Sequence, residues 1–321
     1  MPHVLVAGKV HSSGIDLLKS RPDVTFDYVE EMTEPSYAPL IGRADGLVIR
    51  TQPLSAGTVG KAERLRIVSR HGVGYDSVDL ASLNDRGIVL AIVGDVNSVS
   101  VAEQAMTLLL AAAKRAVRGD RAVRGGVWEW RNRLEQGEVS GKRLLIVGYG
   151  RSGRNLARIA AGFGMEIRAF DPFLARQGWP EGPVAAVTDL SDGLAWADFI
   201  SVHAPKSARP VIGAAELAAM KPTAVLVNTA RGGEDDEAAL IASLGEGRLA
   251  AAGLDVFEDE PPAPNNPLLA MDQVVLSPHI AGLTVECAER MAVSSIQNVL
   301  DFFAGRIDPA LVVNGDHADA R

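Results

Sequence analysis

Short apolar runs recur along the chain, separated by stretches whose apolar positions fall at helical spacing. Up to residue 98 the runs Val4–Ala7, Val24–Val29, Gly46–Arg50, Leu65–Ser69 and Ile88–Val93 read as strands. Gly14–Lys19 and Val78–Asp85 read as helices between them. Such alternation predicts a parallel sheet covered by helices. Ser98–Arg118 breaks the rhythm: Val101, Ala105, Leu108, Leu109 and Ala112 keep a helical period, which predicts one long apolar helix linking two domains. A second alternation follows, with strands at Leu144–Val147, Glu166–Phe170, Phe199–His203, Ala224–Asn228, Ala251–Val256 and Val274–Ser277. Ala185–Ala197 and Ala214–Ala219 read as helical. The last helix, Val285–Phe303, is long enough to return to the first domain and complete it, and the tail after Val313 reads as disordered.

The turn after Leu144–Val147 carries a motif. Gly148, Gly150 and Gly153 form G-x-G-x-x-G between a strand and a helix. The first glycine permits the tight turn, the second lets a pyrophosphate approach the backbone, and the third packs the helix on the strand. Arg151 and Ser152 open that helix, whose N-terminus offers free N–H groups to phosphate. Asp171 ends the next strand, where a carboxylate accepts from both ribose hydroxyls of NAD and repels the 2′-phosphate of NADP.

Composition narrows the partners. The 321 residues suggest two domains. A net charge of −8 argues against a nucleic-acid backbone. The single cysteine, Cys287, rules out an intramolecular disulfide and suits a reducing cytoplasm. No apolar run reaches the ~20 residues of a membrane span. The six histidines show no metal-ligand spacing, so no metal is expected. Gly119–Ser140 has no core pattern but holds Trp128 and Trp130 among arginines, which reads as a subunit interface or as an arm folded on its own domain.

Three polar residues follow strands of the second half, where open α/β sheets bind ligands: Arg231, Glu260 and His279. A guanidinium can hold a carboxylate and polarise the neighbouring carbonyl. An imidazolium can protonate the oxygen as hydride arrives, and a carboxylate beside it favours that charged form.

These residues and their surroundings resemble the D-2-hydroxyacid dehydrogenase family. The matching strings are SRHGVGYDSVDL, NSVSVAEQAM, LLIVGYGRSGR, AFDP, MKPTAVLVNTARGG, AGLDVFEDEPP and LSPHIAG. The resemblance implies two doubly wound parallel-sheet domains, a Rossmann NAD domain (99–285) inserted in a flavodoxin-like substrate domain (1–98 plus 286–321), with a cleft that closes on cofactor and substrate. It implies that Arg231 binds the substrate, that Glu260 pairs with His279, and that His279 is the general acid/base. His71, Gly72, Val73 and Gly74 would offer backbone N–H groups to the substrate carboxylate. Asp255 would bind the nicotinamide carboxamide, with Thr229 and Ala230 lining that pocket. The helix from Val101 and the arm to residue 140 would form a homodimer.

Arg50 matches a position near the substrate in the phosphoglycerate branch; it could hold a second anion or simply end a strand. Glu234 stands where relatives usually carry an apolar residue and is placed on the cleft rim. The segment after His203 is shorter than the family pattern, and the chain ends without a regulatory domain. The expected activity is hydride transfer between NAD and a small polar 2-hydroxy or 2-keto acid of glycerate or hydroxypyruvate size, with the D isomer implied by resemblance. The rival reading is an NAD-dependent corepressor-like module, against which the compact acidic chain without long tails argues.

Overall fold

Val4, Leu5, Val6 and Ala7 have no solvent contact, as expected of a strand covered on both faces. In the computed structural model, which describes residues 1–318, they belong to the first of two units: Met1–Asn97 with the residues from Leu283 onward, and Ser98–Gly282.

The first unit is a five-stranded parallel sheet of β1 (His3–Ala7), β2 (Thr25–Val29), β3 (Gly46–Ile49), β4 (Ile67–Arg70) and β5 (Val89–Ile92), in the order β2-β1-β3-β4-β5. Period-two alternation splits its side chains between two cores. Leu5, Leu47, Ile49, Val68 and Leu90 pack with Tyr37, Ile41 and Leu83 on one face. Val4, Val6, Val48, Ile67 and Val89 pack on the other with Ile296 and Val299 of the C-terminal helix Val285–Phe303. That helix lies so close to Ser12–Lys19 that a Cβ on Gly14 would stand 2.9 Å from the Ile296 side chain. The tail departs from the expected disorder. Asn314 is buried, and its side chain accepts from Leu90 N–H at 2.7 Å and donates to the Ile88 carbonyl at 2.9 Å. Gly315–Ala318 is helical, and the remainder of the tail lies outside the described residues.

The second unit holds β6 (Arg143–Val147), β7 (Glu166–Phe170), β8 (Ala185–Ala186), β9 (Phe199–Val202), β10 (Val225–Asn228), β11 (Ala251–Leu254) and β12 (Val274–Leu276). They form one parallel sheet in the order β12-β11-β10-β9-β6-β7-β8. The order reverses at β6, between β9 and β7, and crevices open at such switch points. Two sequence expectations fail here. Ala185–Ala186 is an edge strand paired with Arg168 and Ala169, and the helix starts only at Leu190, where the Asp189 carboxylate caps Ser191 N–H at 2.8 Å. The long helix ends at Ala113, because Arg115 turns left-handed (φ 52°) while its guanidinium reaches the Ala250 carbonyl at 3.2 Å. A separate helix, Ala116–Arg124, follows, and none of its residues is buried. Ser98–Ala113 itself packs on the sheet so tightly that a Cβ on Gly253 would lie 2.8 Å from Leu108 Cβ.

Candidate functional site

At the switch point, β6 ends in a turn built on close approach. Gly148 takes a left-handed φ of 95°, and a Cβ on Gly153 would stand 2.3 Å from the Gly148 carbonyl oxygen. Gly150 caps the helix Arg151–Gly162 without a side chain, so Arg151 and Ser152 present uncapped N–H groups to an incoming phosphate. Tyr149 stacks on Trp179 with ring centroids 5.4 Å apart, beside this turn. Asp171 stands at the end of β7, where a ribose would lie. Its carboxylate already accepts three backbone N–H groups: Tyr149 at 2.9 Å, and Phe173 and Leu174 at 3.0 Å each. Asp171 is therefore also the N-cap of Pro172–Gln177, and it ties that helix to the glycine turn. Its remaining lone pairs can still take ribose hydroxyls. The turn, the uncapped helix and the acid together fit a dinucleotide.

The catalytic candidates follow β10, β11 and β12, at the same end of the sheet. Asn228 ends β10 and begins the turn to Arg231, accepting from Ala230 N–H at 2.9 Å and donating to the Arg231 carbonyl at 3.0 Å. Gly232 lets this turn press against the next loop, since a Cβ there would stand 1.6 Å from the Phe257 carbonyl oxygen. Glu260 lies on that loop, and its Oε2 meets His279 Nδ1 at 2.6 Å. Burial pushes the Glu260 carboxyl up, but the hydrogen bond and charge of His279, the Phe257 N–H and the charge of Arg231 outweigh it and hold the group below the ordinary carboxylate range. The structure thus brings Arg231, Glu260 and His279 to one place. An adjoining cavity of about 410 Å³ is lined by Phe257, Glu260, Leu269, Leu276 and His279 among others.

Asp255 has a task that composition and spacing did not suggest. Fully buried, its carboxylate accepts from Ser277 Oγ, Ile280 N–H (3.0 Å) and Ala281 N–H (2.8 Å), while its own carbonyl takes His279 N–H at 2.8 Å. It pins the loop in which His279 adopts a left-handed φ of 52°. Thr229 is buried beside the Arg231 turn with its hydroxyl unpartnered among the described residues. Glu234 is a correction: it is fully buried and not on a rim, because the Ser207 N–H and hydroxyl satisfy its carboxylate.

In the first unit, Arg50, Gln52 and the turn from His71 follow neighbouring strands β3 and β4. Arg50 is committed in part, donating to the Lys9 carbonyl at 2.7 Å and lying 3.6 Å from Met32 Sδ. The His71 N–H donates to Ile49 and the Gly72 N–H to Arg70, both at 2.8 Å, so the turn's offer to an anion narrows to Val73 and Gly74. Burial, then the charges of Arg50 and Arg70, push the His71 imidazole down to about 3, so it is neutral at physiological pH. Its Nε2 is buried without a partner among the described residues. Gln52, which no motif of the sequence marks, is 3 % exposed with both amide atoms unpartnered among the described residues, a feature set by the fold and not by any local pattern.

Residues 106–281 match the model of the D-isomer specific 2-hydroxyacid dehydrogenase NAD binding domain. The chain is 38% identical to the glyoxylate reductase of Korarchaeum cryptofilum over 320 residues, covering 97% of this chain and 96% of that one. It is 37% identical to the D-3-phosphoglycerate dehydrogenase of Methanocaldococcus jannaschii over 295 residues, covering 91% of this chain but only 55% of that longer relative. Among solved structures, the NADPH-dependent glyoxylate/hydroxypyruvate reductase of Sinorhizobium meliloti superposes with a TM-score of 0.87 over the whole of both chains at 28% identity.

Proposed function

The chain belongs to the D-isomer specific 2-hydroxyacid dehydrogenase family, and on that premise we propose that it reduces a small 2-keto acid of the glyoxylate or hydroxypyruvate class to the D-2-hydroxy acid, using NADH. The observation that carries the reading is the 2.6 Å hydrogen bond between His279 Nδ1 and Glu260 Oε2 within the field of Arg231. Bound NADH supplies the hydride to C2. Gly148, Gly150, Arg151, Ser152 and Gly153 would hold its pyrophosphate, Asp171 its ribose, and Thr229 and Ala230 would flank its nicotinamide, while Asp255, buried and bonded to Ser277, Ile280 and Ala281, would set the loop beside it and not contact the carboxamide as expected. Arg231 takes the substrate carboxylate and polarises the keto oxygen. Glu260 fixes His279 Nδ1 as a donor and stabilises the imidazolium, which leaves Nε2 to protonate the developing alkoxide. On the first unit, the N–H groups of Val73 and Gly74 are the donors this reading offers to a substrate carboxylate.

One feature favours the smaller substrates over a phosphorylated one: Arg50 is partly spent on the Lys9 carbonyl. Asp171 favours NADH over NADPH by charge repulsion with a 2′-phosphate. A homodimer and a cytoplasmic setting complete the reading, the latter supported by a single cysteine that is buried; among the described residues, no helix is long and apolar enough to cross a membrane. The test is NADH oxidation, followed by absorbance, against glyoxylate, hydroxypyruvate, pyruvate, phosphohydroxypyruvate and oxaloacetate. Preference for glyoxylate or hydroxypyruvate supports the proposal. Preference for a substrate with a second anion makes Arg50 a specificity residue, and no turnover with NADH bound favours a binding module.

A further inference from the structure

We propose that Asp235 is a positioning residue for Arg231, acting through the side chain of Asn228. The inference rests on the reading that Arg231 binds the substrate. Asn228 is fully buried and spans the turn: its Oδ1 accepts from Ala230 N–H and its Nδ2 donates to the Arg231 carbonyl. The same Nδ2 donates its second hydrogen to Asp235 Oδ1. Rotating the amide by half a turn would set its oxygen against a carboxylate and a carbonyl, and its NH₂ against the Ala230 N–H. With Asp235 in place, one amide orientation satisfies every partner, and that orientation fixes the backbone from which the Arg231 side chain springs.

The surroundings show that packing is not the reason for an acid here. Asp235 is 6 % exposed, and its charge meets a neutral amide on β10 where a buried carboxylate ordinarily needs a cation. On its own segment it faces Glu234 and Glu237, and from the segment before Ala214–Ala219 comes Lys206, which acts on Glu234. Burial, then the repulsion of Glu237 and Glu234, outweigh the hydrogen bonds from Asn228 and from the backbone N–H of Asp235 itself and leave the Asp235 carboxyl raised to about 6. An ionised group whose protonation is favoured by folding weakens the fold as pH rises through that value. Stability and positioning therefore pull in opposite directions at this one residue, and that opposition is what an experiment can read.

Asp235→Asn and Asp235→Val, made in the full chain, are compared with wild type by thermal melts at about pH 5 and pH 8 and by steady-state kinetics with the keto acid that wild type reduces, beside NADH binding followed by fluorescence. Asp235→Asn, which keeps an acceptor for Asn228, is expected to melt above wild type near pH 8, where the charge is removed, with the gap closing near pH 5, and to hold KM within about threefold. Asp235→Val leaves the Asn228 N–H unpaired, and it is expected to raise the keto-acid KM about tenfold with kcat and NADH affinity little changed. Amide exchange of Ala230 in the ligand-free protein should stay slow in wild type and Asp235→Asn and quicken in Asp235→Val. An unchanged KM and unchanged Ala230 exchange in Asp235→Val overturns the proposal, as does a loss of melting temperature in Asp235→Asn with KM, kcat and NADH affinity worsening together. If wild type reduces no 2-keto acid, the functional reading of Arg231 fails, while the Ala230 exchange still decides whether Asp235 fixes the turn.

Discussion

His279 adopts a left-handed backbone, a conformation that costs a side chain with a Cβ roughly 1–2 kcal/mol. The Asp255 carboxylate offsets that cost by taking the N–H groups of Ile280 and Ala281. Asp255→Asn turns a donor against one of those N–H groups, so it should lose roughly 2 kcal/mol of stability in urea unfolding and also loosen His279, lowering kcat. A variant with full stability and full turnover would remove this role. His279→Gln is expected to cut turnover by roughly 10²–10⁴-fold with NADH affinity kept; near-normal turnover takes His279 out of the mechanism. Glu260, whose carboxyl sits below its ordinary range in the fold, contributes stability above the pKa of the unfolded chain and loses it as acid titrates the folded group. Melts of Glu260→Gln across that acid range should therefore fall less steeply than those of wild type. What the sequence told at this scale was which residue types gather after strands. It did not tell where carboxylates point: Asp171, Asp255 and Glu234 all spend oxygen lone pairs on backbone N–H groups of neighbouring loops, and such partners lie far away in sequence or depend on a turn's geometry.

Elements were more legible than their ends. Strands buried on both faces announce themselves as unbroken apolar runs, as Val225–Val227 do, and the bounds of the strand Glu166–Phe170 and the helix Val285–Phe303 are those expected from their patterns. The missed features are those set by other parts of the molecule. Ala185–Ala186 is a strand because β7 has an open edge beside it, not because alanine favours extension. Ser98–Ala113 stops at the end of its buried stripe, and the arginines beyond it carry no period that distinguishes one helix from two. Asp171 joins this scale to the cofactor, since it is both the proposed ribose ligand and the cap of Pro172–Gln177. Asp171→Ala should cost about 0.5–2 kcal/mol as a lost cap, and it should weaken NADH use far more than NADPH use. Asp171→Asn separates the two effects: it keeps an acceptor for the helix N-terminus but drops the charge that repels a 2′-phosphate. Steady-state constants for both cofactors on both variants are the check, and equal changes for NADH and NADPH would cancel the ribose role.

The whole molecule poses a question of surface. Val123, Val127, Trp128 and Leu134 lie exposed along one stretch, Trp128 at 62 % and Leu134 at 84 % of full exposure, and the helix Ala116–Arg124 in the same stretch buries nothing. Trp130 is half-buried, packed near Gly119 with the Arg118 guanidinium 5.8 Å from its ring. That contact folds part of the arm on its own unit and leaves the other apolar side chains outward. The proposed homodimer would cover these side chains, because a twofold axis buries the same patch on both copies. Light scattering behind a sizing column should then give twice the 33.9 kDa of one chain. Trp128→Asp with Val127→Asp places two unpaired charges in that contact and should shift the protein to a single-chain mass without lowering its melting temperature at high dilution. A monomeric wild type, or a double variant that stays at twice the chain mass, would leave the arm as a surface feature of its own unit.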